Sequence, residues 1–365
     1  MSESTWKKAA KAMVASGQIP LPVSDTMIEL IQTLMTETEA EFIQLFNKSM
    51  TLDEIKAVTT LNGDELKKIL DSLMYKGVVT GIPSESDGQV VYRLMPPLPG
   101  AFEYNLMRGG KTEKDIRLAK LFDQLFKDVK DIVDENFDFV MGMFEGTKPI
   151  TRVVPVNHDV VEKPGDNIIP HENVNDIVDK FNTIALVNCY CRHEQDLLGN
   201  PCKITDNRKN CMLFGKTARF VIDYEFGHEI SGDEAKKIFA QSVEEGLVHK
   251  SFHVKADIEK DEYAICNCCK CCCGTIGKYH SGTLPNHVYA SHVAKVNESE
   301  CISCEVCIER CPIEAISMDD IAVIDAEKCF GCGVCAVKCP TEAITLERTG
   351  TRELFRPPVR NDAKP

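Results

Sequence analysis

The sequence predicts a multidomain protein of the α+β class, and three observations lead to this prediction. Apolar residues at helical spacing and two short strand-like runs occupy the first hundred residues. All 18 cysteines lie in the second half of the chain, and two of the cysteine runs repeat at a fixed offset. At 365 residues the chain can hold two or three domains. We predict the segments 1–100, 101–185, 186–287, 288–349 and 350–365, the last being a tail.

The helices of the first segment are predicted from apolar spacing and from capping residues. Residues 24–48 carry apolar side chains at i, i+3, i+4 and i+7, which predicts one long amphipathic helix. A second helix begins at Thr51, where Glu54 completes a capping box. A third helix follows the turn at Asn62 and ends at Gly77.

Two short strands follow these helices and complete the element order of a winged helix. They cover residues 78–82 and 89–95 and flank a polar turn. Winged helices often bind DNA, but residues 20–100 contain twelve acidic and six basic residues, the wrong balance for contacts with phosphates. We therefore interpret the segment as a winged-helix-like module for packing or protein interaction, and we do not expect it to bind nucleic acid.

The segment 101–185 is predicted to be mainly helical. Prolines at positions 96, 97 and 99 mark its boundary with the first segment, and helices are expected over residues 112–145 and 174–184. An aromatic and methionine patch lies in the first of these helices and consists of Phe137, Phe139, Met141, Met143 and Phe144. Ordinary core packing is favoured for this patch over contact with a ligand or partner.

Two cysteine runs near the end of the chain have the spacing C-x2-C-x2-C-x3-C-P. The runs are Cys301, Cys304, Cys307 and Cys311 before Pro312, and Cys329, Cys332, Cys335 and Cys339 before Pro340. The same offset of 28 residues relates residues 314–316 to residues 342–344, which read EAI in both places. A repeat that extends beyond the cysteines indicates two copies of one supersecondary unit.

With this spacing, residues 288–349 closely resemble the two-cluster ferredoxins of bacteria. The resemblance implies two cubane [4Fe-4S] clusters, each held by three cysteines of one run and the fourth cysteine of the other. It assigns one cluster to Cys301, Cys304, Cys307 and Cys339, and the second to Cys329, Cys332, Cys335 and Cys311. Two zinc sites are the disfavoured alternative, because zinc does not need evenly spaced triads with a fourth cysteine before proline.

Ten further cysteines occupy the segment 186–287. They are Cys189, Cys191, Cys202 and Cys211, followed by the dense run of Cys266, Cys268, Cys269, Cys271, Cys272 and Cys273. Neighbouring side chains point in different directions, so the dense run cannot send all six sulfurs to one metal without special backbone geometry. The ten thiols predict one or two further Fe–S clusters or a bound metal, and the two groups either stay separate or share a site.

Basic residues surround the first four of these cysteines, although the chain carries a net charge of −14. They are Arg192, Lys203, Arg208, Lys209, Lys216 and Arg219. We interpret them as compensation for an anionic cluster, and a pocket for an anion such as an acyl-CoA phosphate is the alternative. The order NCYCR, PC, CMLFG and ICNCCKCCC before a ferredoxin unit resembles multi-cluster iron-sulfur proteins of strict anaerobes whose reactions are uncharacterised.

These patterns predict an iron-sulfur electron-transfer protein, or an electron-transfer subunit of an anaerobic oxidoreductase, rather than a stand-alone enzyme. The two ferredoxin-type clusters would exchange electrons with a redox partner protein in a complex, and the central site would relay or receive them. A reductase with a catalytic central cluster and a redox-sensing winged-helix regulator are the alternatives. The chain shows neither a secretory signal nor a membrane span of about 18 apolar residues, so we expect a cytoplasmic location.

Overall fold

The structure is a computed structural model that describes residues 4–17, 19, 21–156, 160–161, 172–254 and 257–360. The chain forms two compact units. The first unit comprises Met1–Asp131, Val187–Pro201 and Lys216–His228, and the second comprises Ile132–Leu186, Cys202–Gly215 and Glu229–Pro365.

The described residues form helices in both units. Their bounds are α1 Thr5–Ala15, α2 Asp25–Leu34, α3 Glu37–Phe42, α4 Leu52–Val58, α5 Gly63–Tyr75, α6 Phe102–Met107, α7 Glu113–Glu135, α8 Phe137–Glu145, α9 Val174–Asp179, α10 Tyr190–Leu197, α11 Gly215–Asp223, α12 Gly232–Glu244, α13 Ile276–His280, α14 Val306–Arg310 and α15 Val334–Val337. A single 3₁₀ turn, Ile43–Leu45, follows α3. None of the helices in the described part of the chain combines the length and the apolar character that a membrane span needs.

The strands fall into one large sheet and two small ones. Their bounds are β1 Met50–Thr51, β2 Val79–Pro83, β3 Val90–Leu94, β4 Thr151–Val154, β5 Val160–Val161, β6 Ile184–Asn188, β7 Lys209–Phe214, β8 His228–Ile230, β9 Val248–His253, β10 Glu262–Cys268, β11 Asn286–Val296, β12 Ile316–Met318, β13 Ala322–Ile324 and β14 Ile344–Arg356.

In the first unit, capping residues and apolar spacing determine where the helices form, and a small sheet completes the unit. The predicted capping box is present at the start of α4, where the Thr51 side chain accepts from the Glu54 N–H and the Glu54 carboxylate accepts from the Thr51 N–H. Helix α5 buries Leu66, Leu70 and Leu73 on one face. Strands β2 and β3 form the predicted hairpin, and β1 extends it to the order β1-β3-β2.

Three predicted helices have different bounds in the structure. The helix expected over residues 112–145 is divided at Asn136 into α7 and α8. The single helix expected over residues 24–48 is two helices, because Thr36 caps a new helix with Glu39 while the backbone at Met35 is extended. The helix expected over residues 174–184 ends at Asp179, and β6 begins at Ile184. The expected tail at 350–365 begins as strand, since β14 continues to Arg356 and pairs with β11, and residues 361–365 lie outside the described residues.

The expectation of core packing for the aromatic and methionine patch is wrong for two of its members. Helix α8 buries Met141, but Phe139 is 72% exposed and Met143 is 43% exposed. The helix therefore buries only part of its apolar surface within the described residues.

The second unit is built on a mixed sheet with the order β5-β14-β11-β4-β9-β10-β7-β6-β8. Helices α9 and α12 pack on one face of this sheet, against the side chain of Ile265 on β10. The buried members of this core are Val154, Val174, Ile177, Val178, Ile184, Leu186, Met212, Phe214, Ile230, Ala235, Phe239 and Ile265. Because side chains alternate along a strand, Cys266 and Cys268 point away from this helical core.

The C-terminal part of the second unit contains two copies of one supersecondary motif, and we call this part the duplicated part. Strand β13 corresponds to the end of β11, and β12 corresponds to the start of β14. The Asn297 N–H donates to the Ala343 carbonyl, and the Asp325 N–H donates to the Ala315 carbonyl, so the same backbone bond occurs twice at the offset of 28 residues. Each copy thus donates one such backbone hydrogen bond to the other copy.

Candidate metal centres

The two cysteine loops of the duplicated part share an unusual backbone conformation. Ser303 and Glu305 have positive φ angles of 55° and 64°, and the corresponding Gly331 and Gly333 have positive φ angles of 64° and 79°. Such residues turn successive backbone N–H groups toward the inside of a loop, where they attract a negatively charged group. The loops therefore have the form of anion cradles.

Backbone N–H groups also donate to the cysteine sulfurs. The Ala294 N–H donates to Cys329 Sγ at 3.5 Å, and the Ala322 N–H occupies the corresponding place beside Cys301. The Ala315 N–H donates to Cys311 Sγ at 3.2 Å. These bonds stabilise negative charge on sulfur, which is the state that binds iron.

The eight cysteines of the two runs surround two separate cavities. The first cavity is lined by Cys301, Cys304, Cys307 and Cys339, and the second is lined by Cys311, Cys329, Cys332 and Cys335. Each cavity therefore receives three cysteines from one run and one cysteine from the other. We call these sets quartet one and quartet two.

Quartet two is the more deeply buried. Burial raises the pKa of the Cys332 thiol well above its usual range, and burial also raises the pKa of Cys335. Thiolates at these positions need a compensating positive charge, which cluster iron would supply. In quartet one Cys304 is exposed, and its neighbour Ile302 is 62% exposed.

A third set of four cysteines converges between the duplicated part and the sheet of the second unit. It consists of Cys202, Cys269, Cys271 and Cys272, whose sulfurs all lie within 4.8 Å of one another. Cys202 Sγ lies 3.7 Å from Cys269 Sγ and 3.6 Å from Cys271 Sγ, and Cys271 Sγ lies 3.5 Å from Cys272 Sγ. We call this set the central quartet.

The spacing of these sulfurs fits one metal ion. Four thiolates at about 2.3 Å from a tetrahedral zinc ion stand roughly 3.8 Å apart. A cubane cluster places four iron atoms between its thiolates, so its sulfurs stand much further apart than this. The central quartet therefore suits a single zinc or iron ion better than a cluster.

Hydrogen bonds from backbone N–H groups and between the thiols themselves hold the sulfurs of the central quartet. The Cys272 N–H donates to Cys269 Sγ at 3.4 Å, and the N–H groups of Lys203 and Ile204 reach Cys271 and Cys202. Side-chain hydrogen bonds with Cys269, Cys271 and Cys272 hold the pKa of Cys202 below its usual range. The corresponding bond to Cys202 raises the pKa of Cys272. A bound metal ion would replace the thiol protons in these hydrogen bonds.

Cys268 and Cys273 stand on either side of the loop that carries Cys269, Cys271 and Cys272. Their thiols interact with each other, and this contact lowers the pKa of Cys273 to about 5 and raises that of Cys268. Cys273 Sγ lies 3.2 Å from the Thr275 hydroxyl and accepts from the Thr275 N–H at 3.4 Å. The fully buried Lys250 donates to the same hydroxyl at 2.8 Å.

The remaining central cysteines are buried in both units. Cys189 and Cys191 lie in the first unit, and Cys211 and Cys266 lie in the second. The two cysteine groups meet at one point, where Cys202 of the first group joins three cysteines of the dense run. The first group does not form a close quartet of its own within the described residues.

The predicted cluster of basic side chains is divided between the units. Arg192, Lys216 and Arg219 lie in the first unit, while Lys203, Arg208 and Lys209 lie in the second. Lys216 and Arg219 line a groove of about 710 Å³ beside α5, and Lys216 Nζ donates to the carbonyls of residues 83 and 84 at 3.1 and 2.9 Å. The interpretation of these six side chains as compensation for an anionic cluster stays a prediction.

Sequence reasoning missed two buried polar residues near the central quartet. Lys250 gave no signal, since a lysine in a strand is usually exposed. His249, on the opposite face of β9, donates from its Nδ1–H to Asn267 Oδ1 at 2.5 Å, and burial lowers its pKa to about 4. It is therefore neutral at pH 7.

The central loop packs directly against the duplicated part. Lys270, between Cys269 and Cys271, donates from Nζ to the Glu309 carbonyl at 2.9 Å. His280 Nε2 lies 2.7 Å from the Pro312 carbonyl. Glu309 and Pro312 flank Cys311, which is a member of quartet two. Two hydrogen bonds thus connect the region of the central quartet to the chain segment that supplies both other quartets.

Residues 294–346 match the family described as a 4Fe-4S dicluster domain. The chain therefore contains a ferredoxin-type dicluster domain near its C-terminus, and that domain implies two [4Fe-4S] clusters. No curated protein and no solved structure matches the chain.

Proposed function

We propose that this chain is an electron-transfer protein in which quartets one and two hold [4Fe-4S] clusters and the central quartet holds a single metal ion. The observation that carries the proposal is the arrangement of three cysteine quartets in one compact unit, two of them within a dicluster domain. Two one-electron clusters side by side form a short path for electrons.

The exposure of the quartets supports a direction for this path. Quartet one is the more accessible, because Cys304 is exposed and Ile302 is 62% exposed beside it. Quartet two lies deeper and is flanked by the residues that contact the central loop. Electrons from a partner would enter or leave at quartet one and reach the central region through quartet two.

Metal and sulfide analysis of anaerobically purified protein tests the assignment. We expect about eight iron atoms and about eight acid-labile sulfides per chain, and one further ion of zinc or iron that brings no sulfide. Cys271→Ser should remove the further ion and leave the sulfide unchanged. The reciprocal variant Cys304→Ser should lower iron and sulfide and leave the further ion in place.

The assignment has two distinct ways to fail. A loss of sulfide in Cys271→Ser would show that the central quartet holds a cluster. Protein with near-zero iron after anaerobic purification would contradict the electron-transfer function itself.

One observation favours a second function, a reductase with a catalytic central ion. Cys271 is the exposed member of the central quartet, so replacement of its thiolate by a substrate would give the ion the open coordination position that catalytic metal sites have. In that case Cys271→Ser would abolish the reoxidation of reduced protein by a small-molecule substrate. If no small molecule reoxidises the reduced protein without another protein present, electron transfer alone remains.

A further inference from the structure

The two copies of the duplicated part satisfy one equivalent carbonyl group in different ways. Asp320 is equivalent to His292 at the offset of 28 residues, and Ser303 is equivalent to Gly331. In the first copy, the Ser303 hydroxyl donates to the Asp320 carbonyl at 2.5 Å. In the second copy, Gly331 has no side chain, and Arg352 Nη2 donates to the His292 carbonyl at 2.9 Å. A charged donor in one copy thus takes the place of a neutral donor in the other.

Arg352 also holds the loop that supplies quartet two. Its Nη2 donates to the Cys329 carbonyl at 3.0 Å, and its Nη1 donates to the Ala326 carbonyl at 3.2 Å. Cys329 lines the cavity of quartet two, so the guanidinium contacts the backbone of a ligand of the proposed cluster. Arg352 lies on β14 beyond residue 346, where the match to the dicluster family ends. The contact is therefore made by a residue outside the matched domain.

The first copy has no arginine at the position equivalent to Arg352, because that position is Ile324. Among the residues that the structure describes, Arg352 forms no ion pair, and its hydrogen bonds go to backbone carbonyls. Arg356, on the same strand, differs because Glu327 Oε2 lies 3.9 Å from its Nη2. A guanidinium stays protonated in proteins, so Arg352 presents a positive charge to quartet two.

This charge matters because reduction adds negative charge to a cluster. The reduced cluster carries one more negative charge than the oxidised cluster, so a fixed positive charge nearby stabilises the reduced state. Burial acts in the opposite direction, because a low dielectric disfavours additional charge. Three of the four cysteines of quartet two are buried, against one of the four in quartet one. A cluster in quartet two therefore has the greater need for a compensating cation.

We propose that Arg352 raises the reduction potential of the cluster in quartet two and thereby directs electrons from quartet one to quartet two. The proposal rests on the electron-transfer function proposed above. In each transfer the cluster in quartet one loses one electron and the cluster in quartet two gains it, and no proton or further reactant is needed. Arg352 is a positioning residue, because it contacts the backbone of Cys329. An electron that enters at the exposed quartet one is then retained at the inner cluster.

A redox titration of the anaerobic holoprotein, followed by electron paramagnetic resonance, tests the proposal. Arg352→Gln removes the charge and keeps an N–H donor. We expect one of the two midpoint potentials, the higher one in the wild type, to fall by about 59 mV or more, which is a tenfold change in a one-electron equilibrium. The other midpoint potential should change much less.

Two further variants separate the charge from the hydrogen bonds. Arg352→Lys keeps the charge without the planar fork of donors, so it should stay close to the wild-type potential. Arg356→Gln removes the same charge from the same strand, where Glu327 already balances it, and should leave both midpoint potentials nearly unchanged. Each variant should keep about eight iron atoms, the content of two clusters.

A double variant beside the other quartet assigns the two midpoint potentials. Asp319 and Asp320 join β12 to β13, and Met318 and Ala322 at the ends of these strands line the cavity of quartet one. Asp319→Asn with Asp320→Asn should leave the Arg352-sensitive potential unchanged, and any shift should occur in the other. A shift confined to the Arg352-sensitive potential would contradict the assignment to quartet two.

The proposal is overturned if Arg352→Gln changes neither midpoint potential, or if Arg352→Lys lowers the potential as much as Arg352→Gln does. It is also overturned if the Arg352-sensitive potential is the lower one in the wild type. Loss of iron from Arg352→Gln would overturn it as well, since the side chain would then serve cluster binding alone. The proposed function fails separately, because near-zero iron in wild-type protein would contradict it before any titration.

Discussion

At the scale of single residues, Glu39 is a buried carboxylate that joins two helices of the first unit. Its side chain accepts from the Thr36 N–H at 2.7 Å and thereby caps α3. It also accepts from the Ser72 hydroxyl and from Lys76 Nζ, each at 2.6 Å. One carboxylate thus fixes the start of α3 against the C-terminal part of α5.

We predict that Glu39→Gln lowers the free energy of unfolding of the first unit by about 1–3 kcal/mol. Burial raises the pKa of Glu39, but the bonds from Lys76, Ser72 and Thr36 outweigh it, so the pKa lies below its usual value. The folded state therefore binds the proton less readily than the unfolded state. The stabilisation is present above about pH 4.3 and is lost as the pH falls through the lower pKa of the folded state.

Chemical denaturation of wild type and variant measures this contribution. The series runs from about pH 3 to about pH 7 and so covers the range in which carboxyl groups titrate. The difference in stability should be largest at neutral pH and should shrink in acid. The exposed Glu37→Gln, in the same helix, should change stability little at any pH. An equal effect of both variants would contradict the role given to Glu39.

At the scale of elements, the two cysteine loops have the same backbone conformation but differ in whether their surroundings leave space for a side chain. Gly331 and Ser303 occupy corresponding positions and both have positive φ angles. A Cβ atom at Gly331 would lie 2.1 Å from the His292 carbonyl oxygen, which is backbone and cannot move aside easily. Ser303 shows that a Cβ atom is accepted in the other copy.

We predict that Gly331→Ala disrupts the loop of quartet two and reduces iron from about eight to about four atoms per chain. The clash with His292 forces the loop away from the geometry that directs Cys329 and Cys332 into the cavity. Ser303→Ala keeps the same φ and the same Cβ atom and should retain both clusters. Full iron content in Gly331→Ala would show that the loop can adjust.

The sequence was sufficient for features that depend on local spacing. The capping box of Thr51 and Glu54 and the apolar stripe of α5 follow from residues three or four positions apart, and the structure contains both. The break between α2 and α3 was missed because apolar spacing continues across it, while the cap formed by Thr36 and Glu39 decides the boundary.

The central quartet could not be predicted from the spacing of cysteines along the sequence. Cys202 lies 67 positions before Cys269, and nothing local to either residue indicates that their sulfurs meet. Their approach depends on how the sheet of the second unit positions the loop after β10. The location of Lys250 opposite Cys266 likewise depends on the register of β9 and β10, which hydrophobic patterning does not set.

At the scale of the whole molecule, charge determines which partners the chain attracts. The net charge is −14, and residues 288–349 contain eleven acidic and five basic residues. Near quartet one the Ser303 hydroxyl donates to the Asp320 carbonyl at 2.5 Å, and Met318 and Ala322 of the adjacent hairpin line the cavity. The exposed carboxylates of Asp319 and Asp320 therefore lie beside the most accessible quartet.

We predict that electron transfer to a basic acceptor protein is fast at low salt and slows as salt increases. Opposite charges steer the encounter of two proteins, and at about 0.1 M ionic strength screening limits this attraction to roughly 10 Å. The rate of reduction of cytochrome c, used as a basic test acceptor, can be followed by stopped-flow absorbance. Replacing both Asp319 and Asp320 by asparagine should lower the rate at low salt and weaken its salt dependence.

The comparison that decides this prediction holds net charge constant. A variant with two neutralised carboxylates in the first unit, Glu37→Gln with Asp53→Asn, loses the same charge far along the sequence from quartet one. If steering depends on the carboxylates beside quartet one, this control should keep the wild-type rate and salt dependence. Equal slowing of both variants would mean that the total charge matters, and that quartet one is not the preferred point of electron exchange.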